Sequence, residues 1–158
     1  MKIIFTSHKL YPEFKVYEDN KLVIQVKIDN PSQAFRITCL DNKRVFFIAD
    51  EVVKKTKITT LLNEYSQQLG SLIKSNSDVN AGEIEIEGKQ YTYKISDDFS
   101  KEIYLFKPNK HQPVISSKLE MGQSSFPNEV CINYLLFALA WFTFLIKEQS
   151  GVVQFAEA

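Results

Sequence analysis

The chain has 158 residues with 19 basic and 19 acidic side chains, and 44% of its residues are hydrophobic. This length and composition are typical of a single globular domain, and they exclude a collagen-like, low-complexity or disordered chain. The balanced charge gives no general attraction to nucleic acids or acidic membranes, so we expect no binding of nucleic acid. We also expect a monomer with one domain over residues 1–158.

The N-terminal segment contains an apolar run of only three residues, Ile3–Phe5. The apolar core of a secretory signal has about 7–15 residues, so the sequence predicts a cytoplasmic protein without a cleaved signal. The two cysteines, Cys39 and Cys131, lie in apolar surroundings and form no CxxC pair, which favours buried, reduced thiols. A disulfide between them is the alternative, because the sequence does not give their separation.

Short segments with strand patterns, separated by turn residues, fill the chain from residue 3 to about residue 119. Glu83–Glu87 and Tyr91–Ile95 alternate strictly between polar and apolar residues, and Gly88-Lys89 is predicted to join them as a hairpin turn. Further strands are predicted at Leu22–Ile28, Arg44–Asp50, Glu102–Lys107 and Pro113–Lys118. This succession favours an antiparallel barrel or sandwich over βαβ units.

The segment Ile58–Lys74 is compatible with two structures. Its apolar residues recur at helical spacing, which slightly favours a helix. In contrast, Thr59 and Thr60 favour a strand, and Gly70 would weaken a helix by about 1 kcal/mol. The alternative is a hairpin that turns near Ser66–Gly70.

A helix is predicted over about residues 129–147. Asn128 is a suitable N-cap, and the carboxylate of Glu129 complements the positive end of the helix dipole. Lys147 complements the other end, and Gly151 is expected to end the helix.

Apolar residues lie on every side of this predicted helix, since within Val130–Ile146 only Asn133 and Thr143 are polar. A helix of this kind is surrounded either by protein or by lipid. The segment would span about 25 Å, which is short of a hydrocarbon core of about 30 Å, and no basic cluster flanks it. The pattern favours a helix enclosed by protein and no transmembrane span, with a C-terminal membrane anchor as the alternative.

A barrel is the structure that could enclose such a helix. Eight-stranded barrels are filled by their own side chains, whereas barrels of about 11 strands can hold a central helix. The chain supplies about ten or eleven strands if Ile58–Lys74 is a hairpin, so the barrel also decides between the two structures for that segment. The sequence predicts a mainly β fold: a closed antiparallel barrel of about twelve strands around a hydrophobic C-terminal helix.

This layout resembles the tubby-like superfamily, which includes the tubby C-terminal domain, the phospholipid scramblases and the plant LURP-one-related proteins. The resemblance covers about residues 10–150. It is carried by the apolar helix Asn133–Ile146 and by Asn63–Lys74, which looks like a strand-turn-strand of the family with a glycine and a basic residue. It implies a twelve-stranded barrel around a central helix. The animal tubby domains further imply binding of phosphoinositides through a Lys/Arg pair, and no residues of this chain are assigned to that pair. The Pro-rich arm, cysteine cluster and acidic calcium segment of scramblases have no counterpart in the sequence.

Residues with catalytic or metal-binding potential do not form a recognised motif. His8 and His111 have no ligand at metal-binding spacing, and the carboxylates at 83, 85 and 87 have the period of a solvated strand face. We therefore expect no enzyme activity, no metal and no cofactor, and a hydrolase with an unrecognised site is the alternative.

Lysines provide the candidate ligand site. Lys54, Lys55 and Lys57 lie together, and with Lys74 they are predicted to bind an anionic headgroup. The alternative is a set of ordinary surface lysines that discourage strand-edge association. We expect a non-enzymatic binding or scaffold module that contacts a phosphorylated lipid headgroup, another anionic ligand or a protein partner, in the cytoplasm or at a membrane surface.

Overall fold

The computed structural model describes residues 1–98, 101–121 and 126–156, and it describes side chains up to Ile146 apart from that of Met121. In this part of the chain, eleven strands precede one helix, α1 (Glu129–Ala156). The strands are β1 (Lys2–Thr6), β2 (Glu13–Glu18), β3 (Lys21–Asp29), β4 (Ala34–Cys39), β5 (Asn42–Val53), β6 (Thr56–Leu62), β7 (Gln68–Lys74), β8 (Ala81–Ile86), β9 (Lys89–Ile95), β10 (Glu102–Phe106) and β11 (Ile115–Met121).

The first and last strands close the sheet into a barrel. Each strand pairs antiparallel with the next one in sequence, whereas β1 and β11 run parallel, with Lys2 opposite Lys118. A closed ring with an odd number of strands that otherwise alternate in direction must contain one parallel pair. The prediction of a closed antiparallel barrel of about twelve strands is confirmed, with eleven strands in the described residues and one parallel pair among them.

Strict alternation in the sequence produces the two faces of the barrel wall. In β8, Ile84 and Ile86 are buried inside, while Glu83 and Glu85 are exposed outside. This follows from the period of two along a strand. The connection to β9 consists of Glu87 and Gly88, with φ of 49° and 76°, because Lys89 already pairs with Ile86. The turn therefore lies one residue earlier than predicted.

The ambiguous segment forms the hairpin of β6 and β7, as the barrel requires. Its turn is centred on Asn63–Gln67 rather than Ser66–Gly70, because the Asn63 Oδ1 accepts the backbone N–H groups of Tyr65 and Gln67 at 2.9 Å. Gly70 lies inside β7, where an added Cβ would come within 2.2 Å of the Glu85 carbonyl oxygen. Glycine here allows two strands to approach closely.

The helix α1 passes through the barrel. Every residue from 131 to 143 is buried, so no side of this stretch faces solvent. It contacts β3 and β4 on one side of the ring and β8 and β9 on the opposite side. Tyr134 packs on Phe35 and Trp141 on Phe46, with ring centroids 4.8 and 5.5 Å apart. The apolar helix thus fills the lumen that strand side chains alone would leave open.

The predicted N-cap of α1 is confirmed, because the Asn128 Oδ1 accepts the backbone N–H of Cys131 at 2.9 Å. The predicted end is wrong, since the helix continues through Gly151 to Ala156. Within the described residues, Glu129–Ile146 is long and apolar enough to cross a membrane, but 72% of this stretch is buried inside the structure. In this conformation the wall of the barrel takes the place that lipid would occupy.

The two ends of the barrel are named by the path of α1. The entry end is where α1 begins, beside the C-terminal residue of β7, Lys74, which pairs with Glu129. The β5–β6, β7–β8 and β9–β10 connections lie at this end because successive strands alternate in direction. The exit end carries the β2–β3, β4–β5, β6–β7, β8–β9 and β10–β11 connections.

Both cysteines are buried and free, as predicted. Cys39 is the last residue of β4 at the exit end, whereas Cys131 lies in the first turn of α1 at the entry end. Burial raises the pKa of Cys39 to about 11 and also raises the pKa of Cys131, so both thiols are protonated near neutral pH.

Candidate functional site at the entry end of the barrel

Lys54 and Lys55 form the two-residue turn between β5 and β6. Both have positive φ, 49° and 68°, which is the backbone of the hairpin turns that favour Asn-Gly. For a lysine this conformation costs about 1–2 kcal/mol. The turn therefore holds two lysine side chains at the entry end in a backbone conformation that other residues adopt more easily.

Three of the four predicted lysines come together. Lys55, Lys57 and Lys74 line one depression of about 220 Å³ at the entry end, beside the start of α1. Lys54 lies in the same turn but does not line this depression. The sequence placed the lysines of the β5–β6 turn together, and the β6–β7 hairpin brings Lys74 alongside them.

Two of these lysines already face carboxylates. Lys74 forms an ion pair with Glu129, and Lys57 lies 3.5 Å from Asp50, whose side chain also accepts a hydrogen bond from Thr59 at 2.8 Å. The hydrogen bond from Lys74 lowers the pKa of the Glu129 carboxyl, against the opposing effect of burial. An incoming anion would therefore have to compete with carboxylates for Lys57 and Lys74.

A buried amide also lines the depression. Asn133 is 4% exposed, and its Oδ1 has no hydrogen-bond partner within the described residues. A buried polar atom without a partner costs about 1–3 kcal/mol. Asn133 lies in the second turn of α1 and Glu129 in the first, so the start of the helix lines the depression through both residues.

A second unpartnered atom lies at the same end of the barrel. The Tyr93 Oη is buried without a partner in the described part of the chain, and an added Cβ on Gly82 would come within 2.7 Å of it. Burial raises the pKa of Tyr93 to about 12, and the charges of Glu129 and Asp78 add to the effect. The entry end therefore contains both buried side-chain atoms that lack partners among the described residues.

An apolar pocket of about 250 Å³ adjoins the lysine depression, and the two share Lys74 and Glu129. Its floor contains buried Ile103, Leu119 and Ile132. Exposed apolar side chains and one further lysine stand at its mouth: Val79, Phe126 and Lys101.

His8, which was singled out from the sequence, has a local role. Its Nδ1 accepts the backbone N–H groups of Leu10 and Tyr11 at 3.2 and 3.1 Å. No group of three or more His, Cys, Asp or Glu side chains within the described ranges could hold a metal ion.

Sequence reasoning missed Asp50 as a partner of Lys57, and it assigned Glu129 only to the helix dipole. Asn133 stood out only as one of two polar residues in an apolar segment. A polar residue in such a segment was the available signal for a site. Comparison with protein-family models, curated proteins and solved structures gives no match.

Proposed function

We propose that the chain is a non-enzymatic binding module of tubby-like fold that holds an anionic headgroup at the entry end of its barrel. The observation that carries the proposal is the convergence of Lys55, Lys57 and Lys74 on one depression that is also lined by Asn133, whose buried Oδ1 has no partner among the described residues. The tubby-like assignment is supported by architecture alone: a closed barrel around its own C-terminal helix.

The lining suggests which chemical groups a ligand would present. Lysine ammonium groups and the N-terminus of α1 both favour a negative charge, such as a phosphate. The Asn133 Oδ1 requires a donor, which a hydroxyl group or a protonated phosphate oxygen supplies. A phosphate ester of a hydroxylated molecule satisfies both requirements, whether it is free in solution or the headgroup of a lipid.

The ligand would bind outside the lumen, because α1 already fills the inside of the barrel. Lys57 and Lys74 would exchange their carboxylate partners for the ligand, so the net gain in electrostatic energy is small and the affinity is modest. The lysine side chains are partly exposed, 52% for Lys57 and 34% for Lys74, and binding should weaken with salt.

A lysine-rich depression at the exit end provides a matched control. Lys89, Lys107 and Lys110 line a hollow of about 390 Å³ there, with no carboxylate in its lining. The test compares the wild type with the triple variants K55A/K57A/K74A and K89A/K107A/K110A. The probes are glycerol 3-phosphate, measured by calorimetry, and phosphatidylcholine vesicles with and without a phosphatidylinositol phosphate, measured by sedimentation.

The proposal predicts that only the entry-end variant loses binding, after thermal unfolding has shown that both variants fold. Binding of glycerol 3-phosphate alone indicates a soluble ligand, and binding only to the phosphoinositide vesicles indicates a membrane headgroup. Equal binding by the wild type and the entry-end variant, or loss in the exit-end variant alone, would overturn the site.

A further inference from the structure

We propose that the ligand of the entry end is an amphiphile, with its anionic group at the lysine depression and an apolar chain in the adjoining pocket of about 250 Å³. This inference rests on the proposed function and adds the chemical class of the part of the ligand that the lysines do not contact. The shared walls of the two cavities carry the argument.

The adjacency of the two cavities is the first observation. Lys74 and Glu129 form an ion pair and line both cavities, so a ligand that takes the place of Glu129 at Lys74 would lie beside both the lysines and the apolar floor. Lys74 and Lys101 stand at the pocket against one lining carboxylate, Glu129, so the charge at its rim favours an anionic head over a cationic one. The Lys101 Nζ lies 5.3 Å from the ring centroid of Phe126.

The pocket lining is the second observation. Its floor is apolar and buried, whereas Val79 is 79% exposed and Phe126 42% exposed at the mouth. Exposed apolar side chains around a concave apolar floor are typical of a ligand-binding cleft. At about 30 Å³ for each water-sized group, a volume of 250 Å³ has room for a chain of about eight carbon atoms.

A series of alkyl phosphates of increasing chain length tests this inference directly. Calorimetry below the micelle-forming concentrations should show a rise in affinity of about fourfold for each added methylene, because each buried methylene contributes a fixed transfer free energy. The rise should stop near eight carbon atoms, where the pocket is full. Phe126→Ala should flatten this dependence while leaving the binding of methyl phosphate unchanged.

The control variant is Leu22→Ala, which removes an apolar side chain of similar exposure, 49%, from the start of strand β3 at the exit end. It should keep the full dependence on chain length. If methyl phosphate binds through the lysines but longer chains bind no more tightly, the apolar site is overturned while the proposed function stands.

The affinity for neutral 1-octanol shows whether the anionic group of octyl phosphate contributes to binding. If it binds as tightly as octyl phosphate and K55A/K57A/K74A has no effect, the anion site of the proposed function fails, and with it the amphiphile. If neither methyl phosphate nor octyl phosphate binds, both proposals are overturned. Octyl phosphate that binds more tightly than both octanol and methyl phosphate supports the amphiphile.

Discussion

The two ends of the barrel carry similar numbers of lysines in very different surroundings. At the exit end, Lys89, Lys107 and Lys110 line an open hollow formed by turns. At the entry end, three lysines line a depression together with the carboxylate of Glu129 in the first turn of α1 and with Asn133, whose Oδ1 has no partner among the described residues. Surface charge alone would favour the exit end, so the buried polar groups are what distinguish the entry end as a site.

Two glycines differ in the space around them, one inside a strand and one in a turn. An added Cβ on Gly82, near the entry end, would lie 2.5 Å from the Ile73 carbonyl oxygen, whereas nothing lies within 4 Å at Gly88 in the exit-end turn. We expect Gly82→Ala to destabilise the fold by about 2–3 kcal/mol, through overpacking. Gly88→Ala should cost about 1 kcal/mol, from its positive φ alone. Urea unfolding measures both, and equal losses would contradict the difference in packing.

The two polar residues of the apolar helix provide the next comparison. Asn133 Oδ1 has no partner within the described residues, whereas the Thr143 Oγ1 donates to the Leu139 carbonyl oxygen at 3.0 Å. Asn133→Leu should raise the free energy of unfolding by about 1–3 kcal/mol, because it removes an unsatisfied buried group, and it should weaken anion binding. Thr143→Val should lower stability by about 1 kcal/mol or less and leave binding unchanged.

Denaturant unfolding and calorimetry on the same samples give both quantities. A destabilised Asn133→Leu variant would show that the amide is satisfied in solution, and the site would then lack the acceptor that the ligand is proposed to meet.

The turns of two hairpins provide a comparison of backbone strain. Asp19-Asn20 at the exit end and Lys54-Lys55 at the entry end both have positive φ at both residues, but Asn tolerates this conformation better than Lys. Replacing Lys54-Lys55 by Asn-Gly should stabilise the fold by about 1 kcal/mol and weaken anion binding. Replacing Asp19-Asn20 by Asn-Gly should change the stability less and should leave anion binding unchanged. Thermal unfolding checks the first effect. A Lys54-Lys55 replacement that leaves anion affinity unchanged would remove this turn from the site.

The smallest expected effect concerns the ion pair of Lys74 with Glu129. Lys74 lowers the pKa of Glu129 below its ordinary value of 4.5, so the pair stabilises the fold above pH 4.5 and loses this contribution as the pH falls through the lowered pKa. Glu129→Gln should remove that part of the pH dependence. It should lower the free energy of unfolding by about 0.3–1 kcal/mol, because the negative charge near the N-terminus of the helix is lost. It should also leave Lys74 without its carboxylate partner and therefore available to an anion. Anion affinity should therefore rise although stability falls. A fall in both would mean that Glu129 supports the site rather than competing for it.

The barrel could be predicted from the sequence because the patterns that indicate it are local. Alternation in segments such as Glu83–Glu87 sets the faces of the strands, and the all-round apolar segment before Lys147 requires an enclosure. The turn at Asn63–Gln67 was placed too late because its stabilising contacts come from the side chain of Asn63, and the extension of α1 beyond Gly151 shows that one glycine does not end a helix.

The candidate site was only partly predictable, for a physical reason. Lys54, Lys55 and Lys57 are neighbours in sequence, so their proximity required no fold. The pairing of Lys74 with Glu129, and the position of Asn133 at the same depression, depend on which end of the barrel α1 enters. That direction comes from the packing of the whole chain, and no local pattern records it.

The most direct test of the entry-end site is a titration of the isotope-labelled protein with glycerol 3-phosphate, followed by NMR. The account predicts chemical-shift changes that cluster at the backbone amides of Lys55, Lys57 and Lys74 and at the side-chain amide of Asn133, with little change at Lys89, Lys107 and Lys110. Shifts centred on the exit-end lysines, or spread evenly over lysines at both ends, would contradict it.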